Sequence, residues 1–334
     1  MSNPLWRDLP RFELGHWPTP LEPLERLSEE LGGPRIWVKR DDCSGLAFGG
    51  NKTRKLEFLI GDALAKGADT VVTFGAVQSN HARQTAAACA KAGLACHQVL
   101  SRQVSSSDAD YESGGNIMLG HLLHAEQHFV APEDATQYSK NLLAELKQNG
   151  RQTYVVPAGG SNALGALGYA VCAQELQQQT RQAGIELAHV IHASSSAGTQ
   201  AGLLFGFDQL GISAEVMGIN VYHPDPANLH ARVQTLVAEM TTLYADKQSN
   251  TPPVVNVNHA YIGEGYGQPT EACVEAIRLV ASLEGLLFDP VYSGKALAAM
   301  IDQVTLGNFR DAEDVLLIHT GGTPVLHVYR QQFA

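Results

Sequence analysis

The stretch "AHVIHASSSAGTQAGLLFGF" (188–207) decides how the chain is organised. A β-branched apolar run stops abruptly in three serines, Ala197, Gly198 and Thr199, and an apolar helical pattern opens at once. A buried strand handing over to a helix through small residues is one βα step of a parallel sheet. The same step recurs along the chain. "RIWVKRDD", "DTVVTFGAVQSN", "ACHQVLS", "QTYVVPAGGSN", "AEVMGINVY", "LLFDPVYSG" and "DVLLIHTGGT" are further strand candidates. Between them run the amphipathic stretches "KLEFLIGDALAKGA", "ARQTAAACAKAG", "ALGALGYAVCAQELQQQ" and "ALAAMIDQVTLG". The pattern predicts an α/β fold with parallel-rich sheets covered by helices on both faces, and ligands beyond the carboxyl ends of the strands. The segment from 225 to 252, ending in "DKQSNTPP", reads as a helix followed by an exposed loop.

With 334 residues the chain exceeds the size at which a single core stops growing, so two domains are expected. No apolar run is long enough to span a membrane, and the start lacks the basic-then-apolar pattern of a secretion signal. A cytoplasmic location is the resulting expectation. A net charge of -11 gives no positive surface for nucleic acid or anionic lipid, so neither is expected as a partner. The five cysteines are odd in number and show no C-x-x-C spacing, which reads as free thiols in a reducing compartment. Thirteen histidines carry no H-E-x-x-H or comparable cluster, and no metal is expected.

Small residues at 194–199 let backbone amides and hydroxyls crowd onto one anion at a helix N-terminus, a cup suited to a lone terminal phosphate. The lysine of a nucleoside triphosphatase loop and the G-x-G-x-x-G of a dinucleotide fold are both missing from it. "GAVQSNHARQ" repeats the arrangement with Ser79 and Asn80, which suits a substrate carboxylate or a phenolic oxygen. Gly159, Gly160, Ser161, Tyr292, Ser293, Thr320, Gly321 and Gly322 fall at other strand ends, and Tyr266 lies in a Gly-rich loop. In "FGGNKTRKLEFL" (48–59), Lys52 follows a Gly-Gly turn at the start of a helical pattern, with Lys55 one turn on. An ammonium there opposes the helix dipole unless something uses it. A lysine, a phosphate cup and a carboxylate clamp on one face suggest pyridoxal phosphate acting on an amino acid.

The ordered run "KRDDCSGLAFGGNKTRKLEFL", "QSNHARQTAA", "GGSNALGALGY", "SAGTQAGL", "GYGQPT", "LEGLLFDPVYSGKA" and "HTGG" resembles the aminocyclopropane-carboxylate deaminase and D-cysteine desulfhydrase family across nearly the whole chain. The resemblance implies a pyridoxal-phosphate enzyme of the tryptophan-synthase-β-like fold (fold type II). It implies a large cofactor-binding domain, 1–50 with 161–334, and a small inserted α/β domain, 51–160. Lys52 is similar to the Schiff-base lysine, and Lys55 to a lysine that helps hold the phosphate. Ser196, Ala197, Gly198 and Thr199 match the phosphate loop, and Asn80 the asparagine beside the cofactor O3′. Ser79 resembles the residue that meets the substrate carboxylate, and Tyr292 and Tyr266 the two tyrosines flanking the substrate. Either Lys52 or a tyrosine could take the α-proton, with Lys52 favoured because a phenol of ordinary pKa is a proton donor at neutral pH.

Deaminases of the family carry a glutamate after the D-P-V-Y tyrosine and a leucine before the paired glycines; here Ser293 and Thr320 stand there. A hydroxyl near the pyridine nitrogen leaves it neutral, which suits β-elimination better than ring opening. The departures resemble D-cysteine desulfhydrase, yielding pyruvate, ammonia and sulfide, with L-cysteate sulfo-lyase and then the deaminase as alternatives. The family also suggests a homodimer. A two-domain α/β binding protein, or a dehydrogenase with an unusual nucleotide loop, is the rival class, distinguished by a colourless purified protein.

Overall fold

Strands that end in small residues build two separate sheets in the computed structural model, which describes residues 5–106, 108–246, 252–309 and 314–334. The strands are β1 (Leu21–Pro23), β2 (Arg35–Lys39), β3 (Thr70–Ala76), β4 (Ala95–Ser101), β5 (Glu126–Val130), β6 (Thr153–Val156), β7 (Leu187–Ser194), β8 (Glu215–Asn220), β9 (Asn256–Asn258) and β10 (Asp314–Ile318). The helices are α1 (Glu25–Leu31), α2 (Lys52–Ala65), α3 (Asn80–Ala92), α4 (Gly115–Leu122), α5 (Ala135–Gln148), α6 (Ala163–Ala183), α7 (Gly198–Leu210), α8 (Pro226–Tyr244), α9 (Glu271–Glu284) and α10 (Ser293–Thr305). The larger sheet has the order β1-β2-β10-β7-β8-β9 and the smaller β5-β4-β3-β6. Every pairing is parallel except β1 with β2.

Alternation along the central strands explains the two-sided helical cover. Val190 and Leu316 face one way, into a core with Leu167 of α6, Phe205 of α7 and Leu229 of α8. Ile191 and Leu317 face the other way, against Leu27 of α1, Ile277 of α9 and Leu297 of α10. In the smaller sheet Val71 and Cys96 pack under Leu56 and Ile60 of α2 and Cys89 of α3. On its other face Val72 and Val99 meet Leu142 and Leu146 of α5.

Helix α2 is fixed by a buried ionic network on the side away from its lysines. The Arg54 guanidinium lies 2.8 Å from Asp41 and 2.9 Å from Glu175 of α6, and Tyr169 donates to Asp41 at 2.5 Å. Burial alone would raise the Asp41 pKa, but Arg54 beside it holds the group below the ordinary carboxylate range.

Four segments differ from the sequence reading. "LLFDPVYSG" (286–294) pairs with no strand: the Asp289 carboxylate accepts from the amides of Val291, Tyr292 and Ser293 and turns the chain directly into α10. Strands β1, β5 and β9 were not expected. All three are sheet edges, where short, polar strands lack the buried apolar run that marks a central one. Of the loop expected at "DKQSNTPP", residues 247–251 lie outside the described residues.

Candidate active site

A cavity of about 300 Å³ opens beyond the carboxyl ends of β3, β4, β7 and β10, between the two sheets. Nine of the twelve residues given site roles from the sequence line it: Lys52, Ser79, Asn80, Ser196, Ala197, Thr199, Tyr266, Tyr292 and Thr320. Lys55, Gly198 and Ser293 lie just behind its wall, as their contacts show.

Lys52 is the first residue of α2, and its Nζ donates to Asn51 Oδ1 at 2.9 Å. The Asn51 amide is held in turn, since Nδ2 donates to Thr199 Oγ1 at 3.1 Å. Burial lowers the Lys52 pKa to about 8; Asp289 opposes that shift and Arg83 adds to it. Lys55 Nζ donates to Gly159 O at 3.1 Å and Ser161 Oγ at 3.0 Å, and burial followed by Lys52 pushes its pKa well below the ordinary value. Among the described residues neither lysine pairs with a carboxylate.

The loop before α7 passes directly over these lysines. A Cβ on Gly198 would stand 2.8 Å from Lys55 Nζ and 2.5 Å from Ser161 Oγ, so only glycine lets the backbone approach so closely. Ala197 takes φ 70°, a strained value for a residue with a side chain, and no side chain caps α7. Ser196 and Ser161 share a hydroxyl–hydroxyl bond of 2.8 Å, and Ser161 also accepts from the Gly198 amide at 3.2 Å. An uncapped helix N-terminus, two hydroxyls and an unpaired buried lysine form a cup for an anion.

On the opposite side, Ser79 caps α3 by accepting from the Ala82 amide at 3.1 Å, which leaves its own proton free to donate. Asn80 Oδ1 accepts from Arg83 at 3.2 Å and from Asn116 at 2.9 Å. Arg83 also donates to Gly49 O at 2.8 Å, so one buried guanidinium ties the Gly-Gly turn before Lys52 to Asn80. Its own pKa is lowered by burial to about 10. The hydroxyls of Tyr266 and Tyr292 are 2.5 Å apart, and burial raises both pKa values above the ordinary phenol. Both are therefore protonated at neutral pH. Ser293 Oγ donates to Asp289 Oδ1 at 2.6 Å, whereas Thr320 lines the cavity.

Asn51, His81, Arg83 and Asp289 were not given roles from the sequence. His81 lines the cavity and is 3% exposed. Thr73 Oγ1 donates to Val156 O, so it accepts at 2.8 Å from His81 Nε2. His81 Nδ1 is thus a bare acceptor with no protein partner. The adjacency of His81 to "SN" was the only sequence signal for it. Among the described residues the buried Asp289 carboxylate acts on Lys52 and Arg83, while Lys55 feels only the like charge of Lys52, so the site is short of negative charge.

A family profile described as pyridoxal-phosphate dependent enzyme matches residues 12–321, and the chain belongs to that family. Among its relatives, D-cysteine desulfhydrase of Serratia proteamaculans is 44% identical over 324 residues, 97% of each chain. D-cysteine desulfhydrase of Klebsiella pneumoniae is 44% identical over 321 residues, 96% of each. A crystal structure titled as an ACC deaminase homologue superposes with a TM-score of 0.87 at 34% identity, covering 98% of this chain and 97% of that one. The fold is thus that of the fold type II pyridoxal-phosphate enzymes, and the cofactor is pyridoxal phosphate. The site fits it: the cup with its excess of positive charge and the glycine cradle at Gly198 suit an anionic phosphate, and the bare His81 Nδ1 can accept a hydrogen bond from a donor on a polar occupant. Among the described residues no helix is long and apolar enough to cross a membrane.

Proposed function

We propose that this chain is a pyridoxal-phosphate-dependent lyase that converts D-cysteine and water to pyruvate, ammonia and sulfide. The observation that carries the reading is 44% identity to D-cysteine desulfhydrases along virtually the full length of both chains. Lys52 holds the cofactor aldehyde, and Lys55 with Ser196, Ala197, Gly198 and Thr199 holds its phosphate. Asn80 lies beside the ring oxygen, and Ser293 and Thr320 close the far side of the ring. When bound, the cofactor supplies an electron sink for the carbanion left at the α-carbon. Ser79 and the amides opening α3 hold the substrate carboxylate. Lys52 Nζ takes the α-proton, because its pKa of about 8 leaves part of it unprotonated while the raised tyrosines stay protonated. The Tyr266–Tyr292 pair donates toward the departing sulfur. A cytoplasmic location belongs to this reading, in keeping with the free cysteines, and a homodimer is what the family resemblance suggests. We also assign residues 51–160 to a small inserted domain and 1–50 with 161–334 to the large one, since all strands of the four-stranded sheet fall between 70 and 156.

A sulfonate leaving group, as in L-cysteate, is the second reading. Arg232 lines the cavity mouth and, among the described residues, pairs with no carboxylate. A steady-state panel of D-cysteine, L-cysteine, L-cysteate and aminocyclopropane-carboxylate, read by pyruvate or ketoacid release, separates the possibilities. D-Cysteine is expected to exceed the cyclopropane in kcat/KM by at least about a hundredfold, roughly 2.7 kcal/mol. Comparable values, or preference for the cyclopropane, would overturn the reading; preference for L-cysteate would select the second.

Loading of apoprotein with the cofactor has a defined pH dependence. The amine must be unprotonated to receive the aldehyde, and with a pKa of about 8 roughly one molecule in ten is so at pH 7. An ordinary lysine would offer about three in ten thousand. The rate at which visible absorbance appears should rise with pH and level off above about 8. Because the unfolded chain keeps this proton up to 10.5 while the folded chain releases it near 8, apoprotein stability should rise with pH between those values. A loading profile still climbing beyond pH 10 would contradict the burial of Lys52.

A further inference from the structure

We propose that His97, Glu126 and His128 bind a divalent transition-metal ion of the zinc type at the outer edge of the four-stranded sheet. His97 on β4 lies directly across from Glu126 on the edge strand β5, and His128 follows two residues further along, so all three side chains leave the same face. His97 Nδ1 and His128 Nε2 are 3.2 Å apart. Glu126 Oε2 stands 3.5 Å from the first and Oε1 3.6 Å from the second. Bonds of about 2.0–2.1 Å to a tetrahedral ion put neighbouring donor atoms about 3.3 Å apart. One ligand atom from each of the three residues lies within 4.8 Å of the others, so a small closing movement of the exposed Glu126 side chain brings the donors onto that triangle.

The two rings are almost parallel, 6° apart with centroids at 5.5 Å, and their nitrogens face each other along a line. One proton fills that line in the metal-free protein. A metal ion replaces it, each ring swinging by roughly 35° so that both lone pairs aim at the ion. The far nitrogen of His128 is held as well: Tyr138 on α5 places its hydroxyl 2.9 Å from Nδ1, the outer-shell contact that fixes ring orientation in metal sites. The histidine side chains are 11% and 12% exposed and Glu126 65%, which leaves a path for the ion and room for a water as fourth ligand. Two imidazoles and one carboxylate suit zinc and are a poor set for magnesium or calcium, which take oxygen ligands. The ion ties edge strand β5 to β4 and, through Tyr138, to α5. It thereby braces Val99 and Ser101, which carry β4 on to the cavity.

The test uses cofactor-loaded enzyme stripped by a chelator, gel-filtered and titrated with zinc against a chromophoric competitor. One equivalent per chain is expected. His97→Ala and His128→Ala should weaken binding by at least about a hundredfold and Tyr138→Phe by about tenfold, with turnover unchanged in all three. The double variant His230→Gln with His259→Gln, which removes two histidines elsewhere, should bind as the wild type does. Failure of the wild type to retain zinc, or equal affinity in His128→Ala, would overturn the proposal. If either histidine variant misfolds, the exposed Glu126→Gln decides: a loss of at least about tenfold supports the site, and unchanged affinity refutes it.

Discussion

Lys52→Ala is expected to give a folded, colourless protein whose turnover falls by at least about ten-thousandfold. The loss is this large because one amine both retains the cofactor and moves the α-proton. No neighbour can take over, since Lys55 Nζ is committed to Gly159 O and Ser161 Oγ and sits in the floor of the phosphate cup. The fold should survive because the hydrogen bond from Lys52 Nζ to Asn51 is a minor anchor beside the Arg54 network that fixes α2. Burial of the lysine charge is itself unfavourable, so alanine should leave thermal stability equal or slightly higher. Circular dichroism, the visible absorption spectrum and pyruvate release would be compared with the wild type. A variant that keeps the visible band, or more than about one hundredth of the activity, would remove Lys52 from both roles.

Much of the site was legible because its residues stand at strand ends, where local sequence announces a turn into a helix. Ser79 at the start of α3, the 196–199 loop before α7, and Lys52 after Gly49-Gly50 all follow that rule. The central strands were equally visible, since β10 is buried along its whole length and reads as one apolar run. What connects these pieces is non-local. Arg83 reaches Gly49 across 34 residues, and Asn51 reaches Thr199 across 148. Neither arginine nor asparagine shows in one dimension which carbonyl or hydroxyl it will meet. Edge strands such as β5 escaped for a different reason: "EQHFV" mixes polar and apolar residues because only part of it is covered. Ser293 shows the limit of a motif. Its position matched the deaminase glutamate, yet the structure turns its hydroxyl to Asp289, and the partner that matters was four residues away in the same motif.

Asp289→Ala should cost about 3–5 kcal/mol of stability, the largest loss expected of any single change in the site. The carboxylate is fully buried and accepts four hydrogen bonds: from the amides of Val291, Tyr292 and Ser293 at 3.0, 2.9 and 2.8 Å, and from Ser293 Oγ at 2.6 Å. The Ser293 amide is the first of α10 and the Tyr292 amide that of its N-cap residue, where the helix dipole favours a negative charge. Alanine leaves all four donors bare in a place that Gly322 packs against, since even a Cβ on that glycine would come within 2.7 Å of the carboxylate carbon. Tyr292, one of the four, would lose its backbone anchor and with it the contact to Tyr266. Asp289→Asn keeps the shape and an acceptor oxygen, and should cost only about 1–2 kcal/mol. It also isolates the electrostatic effect, because Asp289 is the group that holds the Lys52 pKa up against burial. With that charge gone the amine should lose its proton more readily, so the pH at which cofactor loading levels off should move below about 8. Chemical denaturation and the loading profile read these two effects separately. A stability change under about 0.5 kcal/mol in Asp289→Ala would mean that water or another group replaces the cap. An upward shift of the loading profile in Asp289→Asn would mean that Asp289 does not act on Lys52 through its charge.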